Sequence, residues 1–368
     1  MERLSHLFES SAKIVGLPKE FKAAQFTSAG SRLAINTVQW LEPKEGEIVV
    51  KVSACSIHST DEIAKHGLLS HLKYPITPGS GVTGEVVQVG PGTKHWKVGQ
   101  HVVGVAAHGC LAEYAVLNAD YVAELKKKEA GDQELHVEVF EAARVEAELL
   151  RFEREEKDLS KDDARRTKDA NERLHYMGDG VDVVIGDGGP ARIALAVIKS
   201  STARKDRRVL LLTANDEWNH SFYGIEEGFH LKLNHHDLGS TLKAIGGIHF
   251  AIATAQPPQE SVGPILEAMR YGSELVMLSP DCGHKLELPL APVVGKALSI
   301  RGPTWPSHAA IDKVLALVHS GSLYVPVQRY RFDDASIERA WTDLEDAKKC
   351  DQPVVVVCET LAQAKEAH

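Results

Sequence analysis

Between Val181 and Ile198 the chain reads VDVVIGDGGPARIALAVI, an apolar run closed by Gly186-Asp187-Gly188-Gly189 and followed by Pro190. Beyond Pro190, the residues Ile193, Ala194, Val197 and Ile198 recur at helical spacing. Glycines let a backbone turn tightly off a strand and approach a ligand closely. A helix start behind them presents N–H groups and the positive end of a dipole, which together attract an anion. Gly186, Gly188 and Ala191 fit G-x-G-x-x-G/A spacing, the arrangement that holds a dinucleotide at the first turn of a doubly wound sheet. The same residues also suit a tight strand-to-helix turn with no ligand, and local sequence leaves both readings open. A second polar group is His58-Ser59-Thr60-Asp61. A histidine titrates near neutral pH and can pass a proton, and a serine or threonine hydroxyl can hydrogen-bond a carbonyl.

The elements that must position these residues fall into two halves. With 368 residues and 43% hydrophobic content, the chain can form two domains with proper cores. Its formal net charge of −9 argues against nucleic acid and anionic membrane surfaces as partners. No apolar run approaches the roughly 20 residues that span a bilayer. The N-terminal MERLSHLFESSAKIVGLPKE carries acidic residues and no long apolar core, so neither a secretory signal nor a transit peptide is expected. Five dispersed cysteines without C-x-x-C spacing read as reduced thiols in the cytoplasm.

Residues 20–125 read as β-rich, with short valine and isoleucine runs at 47–52, 82–89 and 101–105 between glycine and proline turns. From 181 to 300 strands and helices alternate: strands at 183–185, 209–212, 231–233, 250–254 and 275–278, helices after Pro190, near 215–228 and at 261–271. That alternation predicts a parallel sheet with helices on both faces. Helices at 309–320 and 336–348 and strands at 325–332 and 354–357 follow. Between the halves, 126–173 is rich in Glu, Lys, Arg, Asp and Ala, with apolar residues at helical spacing. It reads as one or two charged amphipathic helices in a solvated surface hairpin, with a dimer-interface helix as the competing reading.

With the halves so placed, the chain resembles the medium-chain dehydrogenase/reductase family of zinc alcohol dehydrogenases and quinone reductases. Four stretches carry the resemblance: KVSACSIHSTDEIAKHGLLSHLKYPITPGSGVTG at 51–84, VGPGTKHWKVGQHVVG at 89–104, HGCLAEY at 108–114, and GGIHFAIATAQPP (246–258) through RGPTWPS (301–307). The resemblance implies an α/β protein with a GroES-like β-rich domain and a Rossmann doubly wound parallel-sheet domain, the active site lying in the cleft. The corresponding boundaries are 1–125 for the first part of the GroES-like domain, 126–178 for the charged helical insert or linker, 179–303 for the Rossmann domain, and 304–368 for the return to the GroES-like domain.

The departures from that family concern its metal and its cofactor. Where zinc-type relatives place a ligating cysteine in C-H-S/T-D, this chain has His58, and the next position is Ser59. The G-H-E ligand region is Gly79-Ser80-Gly81, and the charged insert stands where a third ligand would be. Catalytic zinc needs three protein ligands, so no zinc is expected. By the resemblance His58, Ser59, Thr60 and Asp61 lie at the cleft floor. These four are the catalytic candidates: His58 would act as acid or base, or be a packed histidine left after loss of the metal; Ser59 or Thr60 would bond a carbonyl; and Asp61, at a structural position of the family, could instead be satisfied by backbone N–H groups. Ser80 and His108 are weaker candidates, and Cys110 reads as a buried small residue. Gly186, Gly188, Gly189 and Ala191, with Thr213 and Asn215 after the next strand, would hold NADP(H) or NAD(H), NADP(H) slightly favoured by the zinc-free relatives. Asp187 places a carboxylate in the loop that should face a pyrophosphate, which is unfavourable unless it points away.

Three functions follow as expectations. One is a zinc-independent NAD(P)H-dependent oxidoreductase acting on a carbonyl or activated alkene of a small apolar substrate. Another is a repurposed cofactor-free isomerase, lyase or cyclase using the cleft. The last is a non-catalytic scaffold, with a homodimer as a possible assembly.

Overall fold

A computed structural model describes residues 16–68, 71–93, 95–125, 139, 142–151, 180–200, 208–214, 230–278, 285–323, 327–345 and 354–357. The chain divides into two compact units, one of Met1–Phe140, Pro306–Val318 and Tyr324–His368, the other of Glu141–Trp305 and His319–Leu323.

The first unit starts with an antiparallel ribbon of β1 (Glu20–Phe26) and β2 (Leu33–Gln39). Strands β3 (Glu47–Ile57), β4 (Gly81–Val89), β5 (His101–Val105), β6 (Tyr114–Asn118) and β7 (Val122–Glu124) follow, with the short helix α1 (Glu62–His66) after β3. β3 pairs antiparallel with both β4 and β6, and its register shifts at Val49/Val50 and Val52/Ala54 against β4.

The second unit alternates strand and helix: β8 (Val181–Ile185), α2 (Gly188–Ser200), β9 (Val209–Thr213), β10 (His230–Lys232), α3 (Leu238–Ala244), β11 (Ile248–Ala253), α4 (Gln259–Ala268), β12 (Met269–Met277), α5 (Leu290–Gly295) and β13 (Ser299–Arg301). Among the described residues the strands form one six-stranded sheet in the order β10-β9-β8-β11-β12-β13, every neighbouring pair parallel. Every residue of β8, β9 and β11 is buried. Such burial along the whole strand, apolar but for Asp182, Thr213 and His249, is what a parallel sheet covered on both faces requires. The chain moves outward from β8 to β9 and β10, then returns to place β11 on the other side of β8. Strand order therefore reverses at β8, and a ligand crevice opens at the carboxyl ends of strands at such a point.

The C-terminal part contributes α6 (His308–His319), β14 (Gln328–Arg331), α7 (Asp334–Glu345) and β15 (Val354–Val357). With β14 and β15 the first unit's sheet reaches seven strands, ordered β14-β15-β3-β4-β5-β7, with β6 on β3. Ile48, Val50, Val86, Val102 and Leu117 form its core, and Trp341 of α7 meets Phe26 edge-to-face at 5.0 Å. No helix among the described residues is long and apolar enough to cross a membrane.

Two local readings are corrected. The helix expected at 261–271 ends at Ala268, and Met269 is already extended (φ −66°, ψ 142°) because it pairs with Ile248 at the start of β12. The charged insert is not solvated where it is described. Residues 142–151 are helical, and Arg144, Glu146 and Glu148 are buried together with Ala142, Ala143, Val145 and Leu149. Pairing makes that burial tolerable. Arg144 donates to the Leu278 carbonyl at 2.7 Å, and Glu148 accepts from the Thr304 N–H and hydroxyl at 2.6 and 2.7 Å. Glu148 also pairs with Arg301, and Arg151 with Glu274. The rest of 126–173 lies outside the described residues.

Candidate functional site

In the second unit the chain leaves β8 through Gly186, whose φ of +139° few side chains tolerate. A Cβ there would meet Thr254 Oγ1 at 2.2 Å and Ala255 N at 3.1 Å, so glycine is required by space as well. Backbone bonds pin the turn on both sides: Gly186 N–H donates to the Leu212 carbonyl at 2.9 Å, and Thr254 N–H to the Ile185 carbonyl at 2.8 Å. Gly188 follows with φ +70° and opens the 13-residue helix α2. Gly189 and Ala191, like Gly188, are buried in its first turn. The small residues keep side chains away from the helix start, and the turn stands where strand order reverses. That combination fits a pyrophosphate.

Asp187 Oδ2 accepts from the Ala214 N–H at 3.2 Å. The carboxylate thus leans to the β9 side. Thr213 is 1% exposed, its hydroxyl 2.7 Å from His230 Nε2, so that hydroxyl is committed inside the sheet. Asn215 lies outside the described residues.

In the first unit β3 runs out at Ile57, and His58 leads into a 3₁₀ turn over Ser59–Asp61 and then α1. Asp61, 2% exposed, shapes this turn. Its Oδ2 accepts from the His58 N–H at 2.9 Å and its Oδ1 from the Gly79 N–H at 2.8 Å. The carboxylate therefore serves backbone donors across 18 residues of chain. Gly79 has φ +95° and sits so close that a Cβ would lie 2.5 Å from Cys55 Sγ. His58 is 6% exposed. Thr60 Oγ1 is buried with no hydrogen-bond partner among the described residues. The side chain of Ser59 lies outside them.

Ser80 is buried, its N–H donating to the Ser56 carbonyl at 3.2 Å and its carbonyl accepting from Ala106 at 2.8 Å. Ser56 Oγ and Thr83 Oγ1 are also buried without a hydrogen-bond partner among the described residues. Register places Ser56 opposite Gly81 and Thr83 opposite Ala54, on one face of β3 and β4. The sequence reading missed both, although a hydroxyl inside an apolar strand was the available signal. Burial pushes the Cys110 thiol well above its ordinary range, and the Asp61 carboxylate adds to the shift. Burial lowers the His108 pKa, with His71 contributing. Among the described residues no three His, Cys, Asp or Glu side chains converge as a metal-binding group.

Residues 44–127 match the alcohol dehydrogenase GroES-like domain. An alcohol dehydrogenase (patD) of Aspergillus clavatus is 39% identical over 93 residues, 25% of this chain, and the match spans only 24% of that protein's length. The patD alcohol dehydrogenase of Penicillium expansum is 28% identical over 327 residues, covering 80% of this chain and 85% of its own. Among solved structures, a short chain alcohol dehydrogenase from E. coli CFT073 complexed with NADH shares the fold, with a TM-score of 0.67 and 17% identity over 93% of this chain and all of that one.

Proposed function

Because the chain belongs to the medium-chain dehydrogenase/reductase superfamily, we propose that it is a zinc-independent oxidoreductase. In this reading it uses a nicotinamide dinucleotide to reduce a carbonyl or activated alkene of a small apolar molecule. The observation that carries it is the turn from Gly186 to Gly189, seated at the strand-order reversal and opening onto the start of α2. Gly188, Gly189 and Ala191 would hold the pyrophosphate there. The bound NADH of the E. coli structure supports the same cofactor class.

The nicotinamide supplies hydride when bound, and the chain supplies position and a proton. The Thr60 hydroxyl, with no partner among the described residues, would donate to the substrate oxygen. His58, in the same turn, would supply the proton that neutralises the developing charge. Asp61 is a positioning residue, because both its oxygens hold backbone N–H groups. That donor set does not fit zinc: His58 brings one imidazole, Asp61 is committed, and Ser80 and Gly81 bring no strong ligand.

The test is turnover of a panel of aldehydes, ketones and enones by chelator-treated protein with NADH or NADPH. Reduction that survives metal removal and falls in His58→Ala and Thr60→Val supports the reading. Activity restored only by added zinc, or turnover without any nicotinamide, overturns it.

A further inference from the structure

Resting on the nicotinamide reading of the β8–α2 turn, we infer that Asp187 is a specificity residue that selects NAD(H) over NADP(H). In a doubly wound sheet the adenosine ribose lies beyond the carboxyl end of the second strand, and an acid there bonds the ribose 2′-OH. That acid ordinarily follows the second strand. Asp187 stands in the glycine turn itself and reaches across, while Asp216, the acid that follows β9 in the sequence, lies outside the described residues. Asp187 Oδ2 accepts from the N–H of Ala214, the residue immediately after β9. The Gly186–Leu212 bond at 2.9 Å then ties this side of the turn to the end of β9.

A carboxylate in that place can accept from a 2′-hydroxyl and repels a 2′-phosphate, which carries up to two negative charges. Two cations near β9 among the described residues lie elsewhere. Arg208, at the amino end of the strand, donates to the Ile245 carbonyl. Lys232 is exposed and registers with Thr213 on β10, on the far side of β9 from β8. The inference therefore reverses the slight preference for NADP(H) drawn from resemblance alone.

Calorimetric titration of the full chain with NADH, NADPH, ADP-ribose and 2′-phospho-ADP-ribose tests it. The two fragments report on the adenosine half without any hydride transfer. Wild type is expected to bind each unphosphorylated member at least tenfold more tightly than its 2′-phosphorylated partner. Asp187→Asn keeps an oxygen for the Ala214 N–H and removes the charge, so it should bring the ratio within about threefold, chiefly by tightening the phosphorylated ligands. Asp187→Ser, smaller and neutral, should move the ratio the same way if the Asn variant folds poorly. Equal or tighter binding of NADPH by wild type would transfer selection to Lys232 and overturn the inference. So would a ratio unchanged in both variants, which leaves the nicotinamide reading intact. Binding of none of the four ligands overturns both.

Discussion

Replacing Asp61 by alanine should unfold the first unit far more readily than its single carboxylate suggests. The side chain is 2% exposed and accepts two backbone N–H bonds, from His58 at 2.9 Å and from Gly79 at 2.8 Å. Hydrogen bonds to a charged acceptor contribute about 1.5–3 kcal/mol each, and a buried N–H left without an acceptor costs a similar amount. The two together come to about 3–5 kcal/mol, a large part of the roughly 5–15 kcal/mol that holds a domain folded. With a urea dependence of about 2 kcal/mol per molar, the unfolding midpoint should fall by about 1.5–2.5 M. Asp61→Asn keeps one acceptor oxygen and should lose about half as much. The assay is urea unfolding followed by circular dichroism and by tryptophan fluorescence, since Trp40, Trp96 and Trp341 all lie in this unit. A midpoint for Asp61→Ala within about 0.3 M of wild type would refute the reasoning, because two buried donors cannot lose their acceptor at so small a cost.

Other variants test other parts of the account. Gly186→Ala must seat a methyl 2.2 Å from Thr254 Oγ1 at φ +139°, so it should destabilise the second unit and abolish the thermal shift on adding NADH; Gly186→Ala paired with Thr254→Ala should recover only part, because the backbone strain remains. Thr60→Val removes a hydroxyl that has no partner among the described residues, so thermal stability should hold while kcat for a carbonyl substrate drops by about 10²-fold; a loss of stability with unchanged kcat would assign Thr60 to structure. Burial works against ionisation of Glu148, but Arg301 and Thr304 outweigh it and hold the carboxyl below its ordinary range. A depressed carboxyl contributes stability above its unfolded pKa of about 4.3 and loses it as pH falls through the folded value. The second unit should therefore weaken below about pH 4, and Glu148→Gln should be weaker at neutral pH with a flatter profile; parallel urea midpoints from pH 3.5 to 7 for the two proteins would contradict this.

Strands such as β8, β9 and β11 were legible because a fully buried parallel strand is mainly apolar, and the glycines after β8 marked its end; β8 and β11 begin two residues earlier than read, because Asp182 and His249 interrupt their apolar runs. The two-part division was legible from the change between alternating valines and βα repeats. The burial of residues 142–151 was not. Their charges pair with Glu274, Arg301 and Thr304, more than 120 residues along the chain, and no local pattern announces such partners. Helix α4 was overrun at its end because Met269 and Tyr271 suit a helix as well as a strand, and only pairing with Ile248 decides. At the candidate site, Asp61 was counted among the catalytic candidates with a backbone-holding role as the alternative, and its two bonds to backbone N–H groups are those of the alternative. The direction taken by Asp187 was not readable, since it depends on Ala214 lying alongside, a consequence of sheet order rather than of neighbouring residues. Ser56 and Thr83 were passed over because an isolated hydroxyl in a valine-rich strand resembles ordinary β composition.

The central claim is that the turn behind β8 grips a nicotinamide dinucleotide through its backbone. Hydrogen–deuterium exchange of the intact chain, with and without saturating NADH, reads those amides directly. The account predicts slowed exchange confined chiefly to peptides covering 186–194 and the end of β9. Unchanged exchange there at millimolar NADH, or protection appearing only in the GroES-like unit, would contradict it.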